Sequence, residues 1–394
     1  MAEENYNFDK EICRKGTKAL KFDALQERYG NPNLIPLWVA DMDFEVCPAI
    51  TDALQKRLAH PVYGYATTTD NYWLSILRWV TSRFGISVRR EEMNYIPGVV
   101  KGIAFAMNYF TQKGDKILIQ PPVYHPFRMV TEGNGRIVVN SPLVRTETGY
   151  TIDFEAFEHT VKTEKPKMMI LCNPHNPGGI KWNKEQLAEI ARIARQNDMI
   201  VISDEIHADI MLDGKPHVSF FSAGSDAEAV GIVFGAPSKT FNIAGLVSSW
   251  SIVKNPELRT GFYAWLEANE FNDPTFIATI ATEAAYGKGA EWLKQMIEYI
   301  NGNIDATIEY FAENIPQIRV MRPQASFLVW LDCRGLNLSQ AELNDLFVNK
   351  AGLALNNGEM FGKEGIGYMR LNVGTTRKNL LTAFEKLKNA INSL

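Results

Sequence analysis

Four short runs of consecutive apolar residues constrain the fold of this chain more than any other feature. They occupy residues 116–119, 168–171, 199–202 and 231–234. Continuous rather than alternating apolar runs indicate strands buried on both faces, as in a parallel sheet covered by helices. A helix is predicted between the second and third runs, because Asn183 and Gln186 form a capping box ahead of an apolar stripe. This alternation of strand and helix predicts an α/β domain.

The C-terminal third has a different pattern. A long helix is predicted over residues 290–313 and must end before Pro316. Two strands are predicted at 318–321 and 326–331, and a capping box beginning at Ser339 predicts another helix. A strand at 368–373 precedes a final helix. Strands and helices in this mixture indicate a smaller α+β unit.

Composition narrows the functional classes. The 394 residues carry a net charge of −4, which gives no reason to expect nucleic acid as a partner. The four cysteines are scattered, as expected in a reducing cytoplasm. No apolar run approaches the roughly 20 residues that span a bilayer, and the N-terminus lacks a secretory pattern. We therefore expect a cytoplasmic protein with no membrane or nucleic-acid partner.

The carboxyl ends of parallel strands are where open α/β sheets bind ligands. The four apolar runs lead into segments that contain Tyr124, Asn176, Asp204 and Lys239. An ordinary lysine has a pKa of about 10.4, so only about one in a few thousand is neutral at pH 7. A Schiff base with an aldehyde cofactor avoids this problem because it holds the nitrogen ready for reaction.

Three of these residues also have a purely structural explanation. Asp204 could pair with a protonated pyridine nitrogen or cap the next helix. Asn176 could bind a ring hydroxyl or a substrate carboxylate, or serve as a turn residue before Pro177. Tyr124 could stack on a cofactor ring or pack in the core.

Two further positions leave similar alternatives open. Gly98, followed by Val99 and Val100, opens a predicted helix running to about Thr111, and its backbone could bind a phosphate or simply turn the chain. Arg370 lies inside an apolar strand and needs an anion, which could be a protein carboxylate or a substrate carboxylate.

A metal site is not expected. His175, His207 and Asp209 are near one another in the strand order, but their spacing fits no familiar zinc pattern.

Together these motifs resemble the fold-type I pyridoxal 5′-phosphate (PLP) enzymes of the aminotransferase class I/II superfamily. The resemblance covers essentially the whole chain and is closest to the MalY/PatB-type cystathionine β-lyases, which are C–S lyases. The segments that carry it are 38–44, 62–65, 122–127, 173–177, 204–207, 238–246 and Arg370.

The resemblance implies an architecture. It predicts a large domain, residues 46–288, with a mostly parallel seven-stranded sheet flanked by helices. Residues 1–45 and 289–394 would form a discontinuous small α+β domain. It also implies a homodimer, in which Tyr65 reaches the cofactor phosphate and the substrate of the neighbouring subunit.

The resemblance also implies roles for single residues. Lys239 would be the Schiff-base lysine and proton shuttle, and Asp204 would pair with the pyridine nitrogen. The other predicted site residues divide between the ring, the phosphate and the substrate: Tyr124, Asn176 and His207 at the ring, Gly98, Val99, Val100 and Ser238 at the phosphate, and Arg370, Asn176 and Ala40 at the substrate.

This chain departs from many aminotransferase relatives at three positions. His207 stands where they have tyrosine, Ala236 replaces a frequent serine, and Val247 replaces a phosphate-binding arginine. Fewer side chains are therefore expected to bind the cofactor phosphate. The branch resemblance predicts α,β-elimination of S-substituted L-cysteines to a thiol, pyruvate and ammonia. An aminotransferase is the nearest alternative, and a regulatory partner-binding protein on the same scaffold is a third.

Overall fold

The computed structural model describes residues 5–394. Its strands are β1 (Ile35–Pro36), β2 (Met93–Ile96), β3 (Lys116–Ile119), β4 (Ile137–Asn140), β5 (Val144–Arg145), β6 (Tyr150–Thr151), β7 (Met168–Cys172), β8 (Ile200–Asp204), β9 (Gly231–Gly235), β10 (Ser249–Ile252), β11 (Arg319–Met321), β12 (Leu328–Asp332), β13 (Leu353–Ala354), β14 (Asn356–Asn357) and β15 (Tyr368–Asn372).

Its α-helices are α1 (Leu20–Asp23), α2 (Leu25–Tyr29), α3 (Pro48–Leu58), α4 (Asp70–Phe84), α5 (Val99–Phe110), α6 (Pro126–Gly133), α7 (Phe154–Glu164), α8 (Lys184–Gln196), α9 (Ser225–Val230), α10 (Pro237–Thr240), α11 (Pro256–Ala268), α12 (Phe276–Lys288), α13 (Ala290–Asn314), α14 (Gln340–Asp345) and α15 (Arg377–Ile391).

The central sheet has seven strands in the order β2-β10-β9-β8-β7-β3-β4. Only β10 runs antiparallel to its neighbours. The four predicted apolar runs became β3, β7, β8 and β9, and every residue of β7 and β9 is buried. The predicted mostly parallel seven-stranded sheet is confirmed.

Besides β2, two strands of this sheet, β4 and β10, had no counterpart among the apolar runs. The edge strand β4 is largely exposed, with Ile137 half in solvent. In β10, serines alternate with Trp250 and Ile252, which breaks the apolar run although all four residues are buried. Both strands are held by their neighbours in the sheet rather than by a local pattern.

The predicted helices begin where their capping residues stand. Asn183 and Gln186 form the expected capping box at the start of α8. Gly98 precedes α5, which ends before Thr111. The capping box at Ser339 is also present, but α14 is short and continues as a single π turn over Leu346–Lys350. No helix in the described part of the chain is both long and apolar enough to cross a membrane.

A second sheet lies in the C-terminal third, with the order β11-β12-β15-β14. The N-terminal segment joins this part of the molecule, because β1 pairs in parallel with β13. Arg370 is in the middle of β15 and pairs with Trp330 and Asn356 across the sheet. The second sheet therefore brings this arginine towards the carboxyl ends of the central strands.

Candidate active site

A cavity of about 310 Å³ lies at the carboxyl ends of β7, β8 and β9. It brings together ten residues that the sequence predicted for one site: Ala40, Gly98, Val99, Val100, Tyr124, Asn176, Asp204, His207, Ser238 and Lys239. Arg370 contacts this group through Asn176. Apart from Ala40, these residues come from five parts of the chain, which meet here because the central strands that precede them end at the same edge of the sheet.

Asp204 is a buried carboxylate at the end of β8. Its Oδ1 accepts a hydrogen bond from the backbone N–H of Ile206 at 3.1 Å. No helix follows, so the carboxylate is not a helix cap. Among residues 5–394 no lysine, arginine or histidine forms an ion pair with it, and burial raises its pKa to about 7. A cationic ligand in the cavity would keep Asp204 ionised.

Lys239 lies on the short helix α10, directly after β9. Its Nζ donates a hydrogen bond to the backbone carbonyl of Ala40. Burial lowers the pKa of the amine to about 8, and the nearby Asp41 carboxylate opposes that shift. The lysine is therefore close to neutrality under mildly alkaline conditions, as a nucleophile or base requires.

Arg370 is a buried guanidinium without a carboxylate partner in the part of the chain that the structure describes. Its Nη1 donates to Asn176 Oδ1 at 3.1 Å, and its Nη2 donates to the Trp38 carbonyl at 2.9 Å and Asn356 Oδ1 at 2.6 Å. All three acceptors are neutral. The Nε atom is buried and has no hydrogen-bond partner within residues 5–394. Burial lowers the pKa of Arg370 to about 10.

These contacts distinguish between the two anions predicted for Arg370, a protein carboxylate and a substrate carboxylate. Of the residues that the structure describes, no Asp or Glu neutralises its charge. An uncompensated buried charge costs several kcal/mol, roughly, unless a ligand supplies the opposite charge. The geometry favours an external carboxylate as the missing partner.

His207 and Tyr124 lie on the wall of the cavity. The Nδ1 atom of His207 is 3.1 Å from Ser326 Oγ, and burial lowers the pKa of the imidazole to about 3. His207 is therefore neutral. Tyr124 packs edge-on against Phe127, with ring centroids 5.7 Å apart. Its predicted stacking on a cofactor ring stays a prediction.

The N-terminus of α5 forms another wall. Gly98 has φ +108°, a conformation that other residues rarely adopt, so glycine is needed at this turn. Sequence reasoning missed Lys101, in the first turn of the helix, which also lines the cavity. Val247, at the position expected to lack an arginine, lies on the cavity wall as well. A lysine in the first turn of a helix predicted to bind phosphate could have been recognised from the sequence.

Cys172 was also missed. It ends β7, lines the cavity and accepts a hydrogen bond from the Asn176 backbone N–H at 3.3 Å. Burial raises the pKa of its thiol, so the sulfur is neutral. The cysteine supports the loop that carries Asn176 rather than supplying a charge.

Tyr65 lies outside the cavity of its own chain. It is fully exposed on an extended segment that precedes α4. Its predicted contact with a neighbouring subunit stays a prediction.

The histidines and Asp209 do not form a cluster. His175 is buried and packs edge-on against Trp182. Asp209 accepts hydrogen bonds from Trp79, Arg83 and Thr240 instead. In residues 5–394, no group of three or more His, Cys, Asp or Glu side chains could hold a metal ion.

Residues 32–387 match the family described as aminotransferase class I and II. The chain belongs to this family. It is similar to cystathionine beta-lyase PatB of Bacillus subtilis (strain 168), with 39% identity over 98% of this chain and 100% of the relative. This similarity confirms the predicted branch of the superfamily.

Two solved structures extend the comparison. Cystalysin from Treponema denticola, which contains a PLP cofactor, has a TM-score of 0.95 and 32% identity, covering 99% of this chain and 100% of that chain. The PLP-bound C–S lyase from Staphylococcus hominis has a TM-score of 0.91 and 32% identity, covering 98% of each chain. The fold-type I architecture is therefore shared over the full length of this family member.

Proposed function

We propose that this aminotransferase-family chain is a PLP-dependent C–S β-lyase. The proposal rests on three groups at one site: an amine with a lowered pKa, a buried carboxylate, and a guanidinium that has no anionic partner within residues 5–394. Lys239 and Asp204 line the cavity, and Arg370 donates a hydrogen bond to the lining residue Asn176. Relatives named cystathionine beta-lyase or C–S lyase, matched over almost the whole chain, support the same activity.

The cavity fits PLP. Asp204 is a buried carboxylate with no ion-pair partner within residues 5–394, and a protonated pyridine nitrogen would supply one. The phosphate would lie against the backbone of Gly98–Val100 and Ser238, at the N-terminus of α5. Lys101 would add a positive charge there, where Val247 has none. Tyr124, Asn176 and His207 would hold the ring.

When bound through Lys239, PLP supplies an acceptor for the electrons released from the substrate Cα. The residues of the chain do the rest. Arg370 holds the substrate α-carboxylate through charge-assisted hydrogen bonds, worth roughly 1.5–3 kcal/mol, and so orients the Cα–H bond. Lys239 would take the proton from Cα as a general base.

Loss of the β-substituent as a thiolate completes the elimination. With L-cystathionine and one water, the products are homocysteine, pyruvate and ammonia. Ala40 contributes its carbonyl, which accepts a hydrogen bond from the Lys239 amine and positions it. The imidazole of His207, being neutral, adds no charge to the ring side of the site.

The test is to incubate the PLP-loaded protein with L-cystathionine and follow pyruvate together with the absorbance of bound cofactor. Continuous pyruvate release with PLP retained is the expected result. The Lys239→Ala variant is the control and should release none. Stoichiometric conversion of PLP to pyridoxamine phosphate without pyruvate would instead identify an aminotransferase. If neither reaction occurs and the protein captures a specific partner independently of Lys239, the regulatory alternative is favoured.

We also propose that the enzyme is a cytoplasmic homodimer with Tyr65 completing the neighbouring site. The support is that Tyr65 is fully exposed and lies outside its own cavity. The proposed division into residues 46–288 and residues 1–45 with 289–394 is supported by the two sheets, which draw on residues 93–252 and 319–372. The pairing of β1 with β13 supports placing the N-terminal segment in the smaller domain.

A further inference from the structure

A second cavity adjoins the cofactor cavity. It has a volume of about 660 Å³, and Ala40, Lys239 and Ala244 line both. We call it the vestibule. Its lining comes from five residues of the N-terminal segment, Ile12, Arg14, Lys18, Ala19 and Leu20, and from residues 39–45. Because it opens onto the reactive amine, the vestibule is the space available to the part of a substrate that extends beyond its β-carbon.

Most charges of the vestibule are already paired. Arg14 forms ion pairs with Asp41 at 2.6 Å and Asp43 at 2.7 Å. Glu45 pairs with Lys10. The buried Lys21 also pairs with Asp43, at 2.9 Å, so two cations balance the two aspartates and these groups offer little net charge to a ligand.

Lys18 is the exception. It lines the vestibule and is exposed, and among residues 5–394 its amine has neither an ion pair nor a hydrogen bond. The other cations of the vestibule, Arg14 and Lys239, are both engaged. Lys18 therefore leaves one positive charge available at the outer end of this space.

The surface beside Lys18 is apolar. Ile12 and Leu20 both line the vestibule, although these residues are 36% and 54% exposed. An alkyl chain would cover these side chains and remove apolar area from water. An apolar wall followed by an unpaired cation matches a substituent that consists of methylene groups ending in an anion.

We propose that Lys18 is a specificity-determining residue that binds a carboxylate at the far end of the thioether leaving group. This rests on the proposed β-lyase function and names its substrate class: S-alkyl cysteines whose substituent ends in a carboxylate, as cystathionine does. Arg370 binds the α-carboxylate at one end of such a substrate, and Lys18 binds the distal one.

The experiment compares two substrates that each lack one polar group of cystathionine. S-(3-carboxypropyl)-L-cysteine keeps the distal carboxylate, and S-(3-aminopropyl)-L-cysteine keeps the amine. The measured quantity is the ratio of kcat/KM for the first substrate to that for the second, from pyruvate release. It is determined for the PLP-loaded protein and for its Lys18→Gln, Lys18→Arg and Lys15→Gln variants.

Lys18→Gln should lower the ratio by about fivefold, the size expected for an exposed ion pair. Lys18→Arg keeps the positive charge, so its ratio should be close to that of the unaltered protein. Lys15→Gln removes an exposed charge three residues away that does not line the vestibule, and should leave the ratio unchanged. Added salt should reduce the ratio in the unaltered protein but have little effect in Lys18→Gln, because screening acts on the charge pair.

The outcomes separate the two proposals. Pyruvate release from both substrates, with the same ratio in the unaltered protein and Lys18→Gln, would overturn the role of Lys18 and leave the lyase intact. An equal change in Lys15→Gln would show a general effect of surface charge and would also overturn it. Absence of pyruvate from either substrate and from cystathionine would overturn the β-lyase function and this inference together.

Discussion

Replacing Asp204 with asparagine should stabilise the cofactor-free protein at alkaline pH. Burial raises the pKa of this carboxyl from 3.8 to about 7 in the folded protein. Between these two values the folded state binds a proton that the unfolded state does not, so stability falls as pH rises. Above pH 7 the full penalty of the buried charge applies. At about 1.36 kcal/mol per pKa unit, a shift of about three units corresponds to roughly 4 kcal/mol.

The asparagine variant carries no such penalty, although its amide must find a new partner, which costs roughly 1–3 kcal/mol. The cost of the amide does not depend on pH, whereas the penalty of the buried Asp204 charge does. The difference in unfolding free energy, Asp204→Asn minus unaltered protein, should therefore rise by about 3 kcal/mol between pH 5 and pH 8. Turnover of the PLP-loaded variant should fall sharply at every pH.

Urea denaturation of the two cofactor-free proteins at a series of pH values measures this difference. Asp198→Asn is the matched control, because Asp198 is exposed and its φ of +49° suits asparagine equally well. For Asp198→Asn, the difference in unfolding free energy from the unaltered protein should not change with pH. A flat difference for Asp204→Asn, or one that decreases with pH, would show that burial does not raise the carboxyl pKa and would refute the reasoning.

Three further predictions concern other residues of the site. Arg370→Lys keeps the charge but loses the planar fork, so kcat/KM should fall roughly 10- to 100-fold while bound PLP keeps its absorbance; an unchanged kcat/KM would contradict the assigned carboxylate contact. Lys101→Gln should weaken PLP binding about fivefold relative to pyridoxal, which lacks the phosphate, in a fluorescence titration; equal weakening of both would exclude a phosphate contact. The rate of PLP capture by the cofactor-free protein should rise with pH through about 8, since only the neutral Lys239 amine reacts. Asp41→Asn should move this midpoint to lower pH, because the Asp41 charge raises the lysine pKa, and a shift to higher pH would contradict that effect.

The central sheet and much of the site could be predicted because their signals are local. A strand buried on both faces requires consecutive apolar residues, and the residues that follow such a strand lie at the ligand-binding edge. Asn176, Asp204 and Lys239 were found in this way. The capping boxes at Asn183 and Ser339 are equally local, because a helix start needs a side-chain acceptor for its first N–H groups.

The sequence therefore predicted the α/β class, the four core strands β3, β7, β8 and β9, and the segments that line the cavity. It could not predict which charges remain unpaired, because that depends on the folded structure. Arg370 meets neutral acceptors, including Asn176, which is 194 residues away, whereas Arg14 meets two carboxylates. Lys18 meets none among residues 5–394. Charge pairing depends on distances between side chains far apart in sequence, and those distances exist only once the chain has folded.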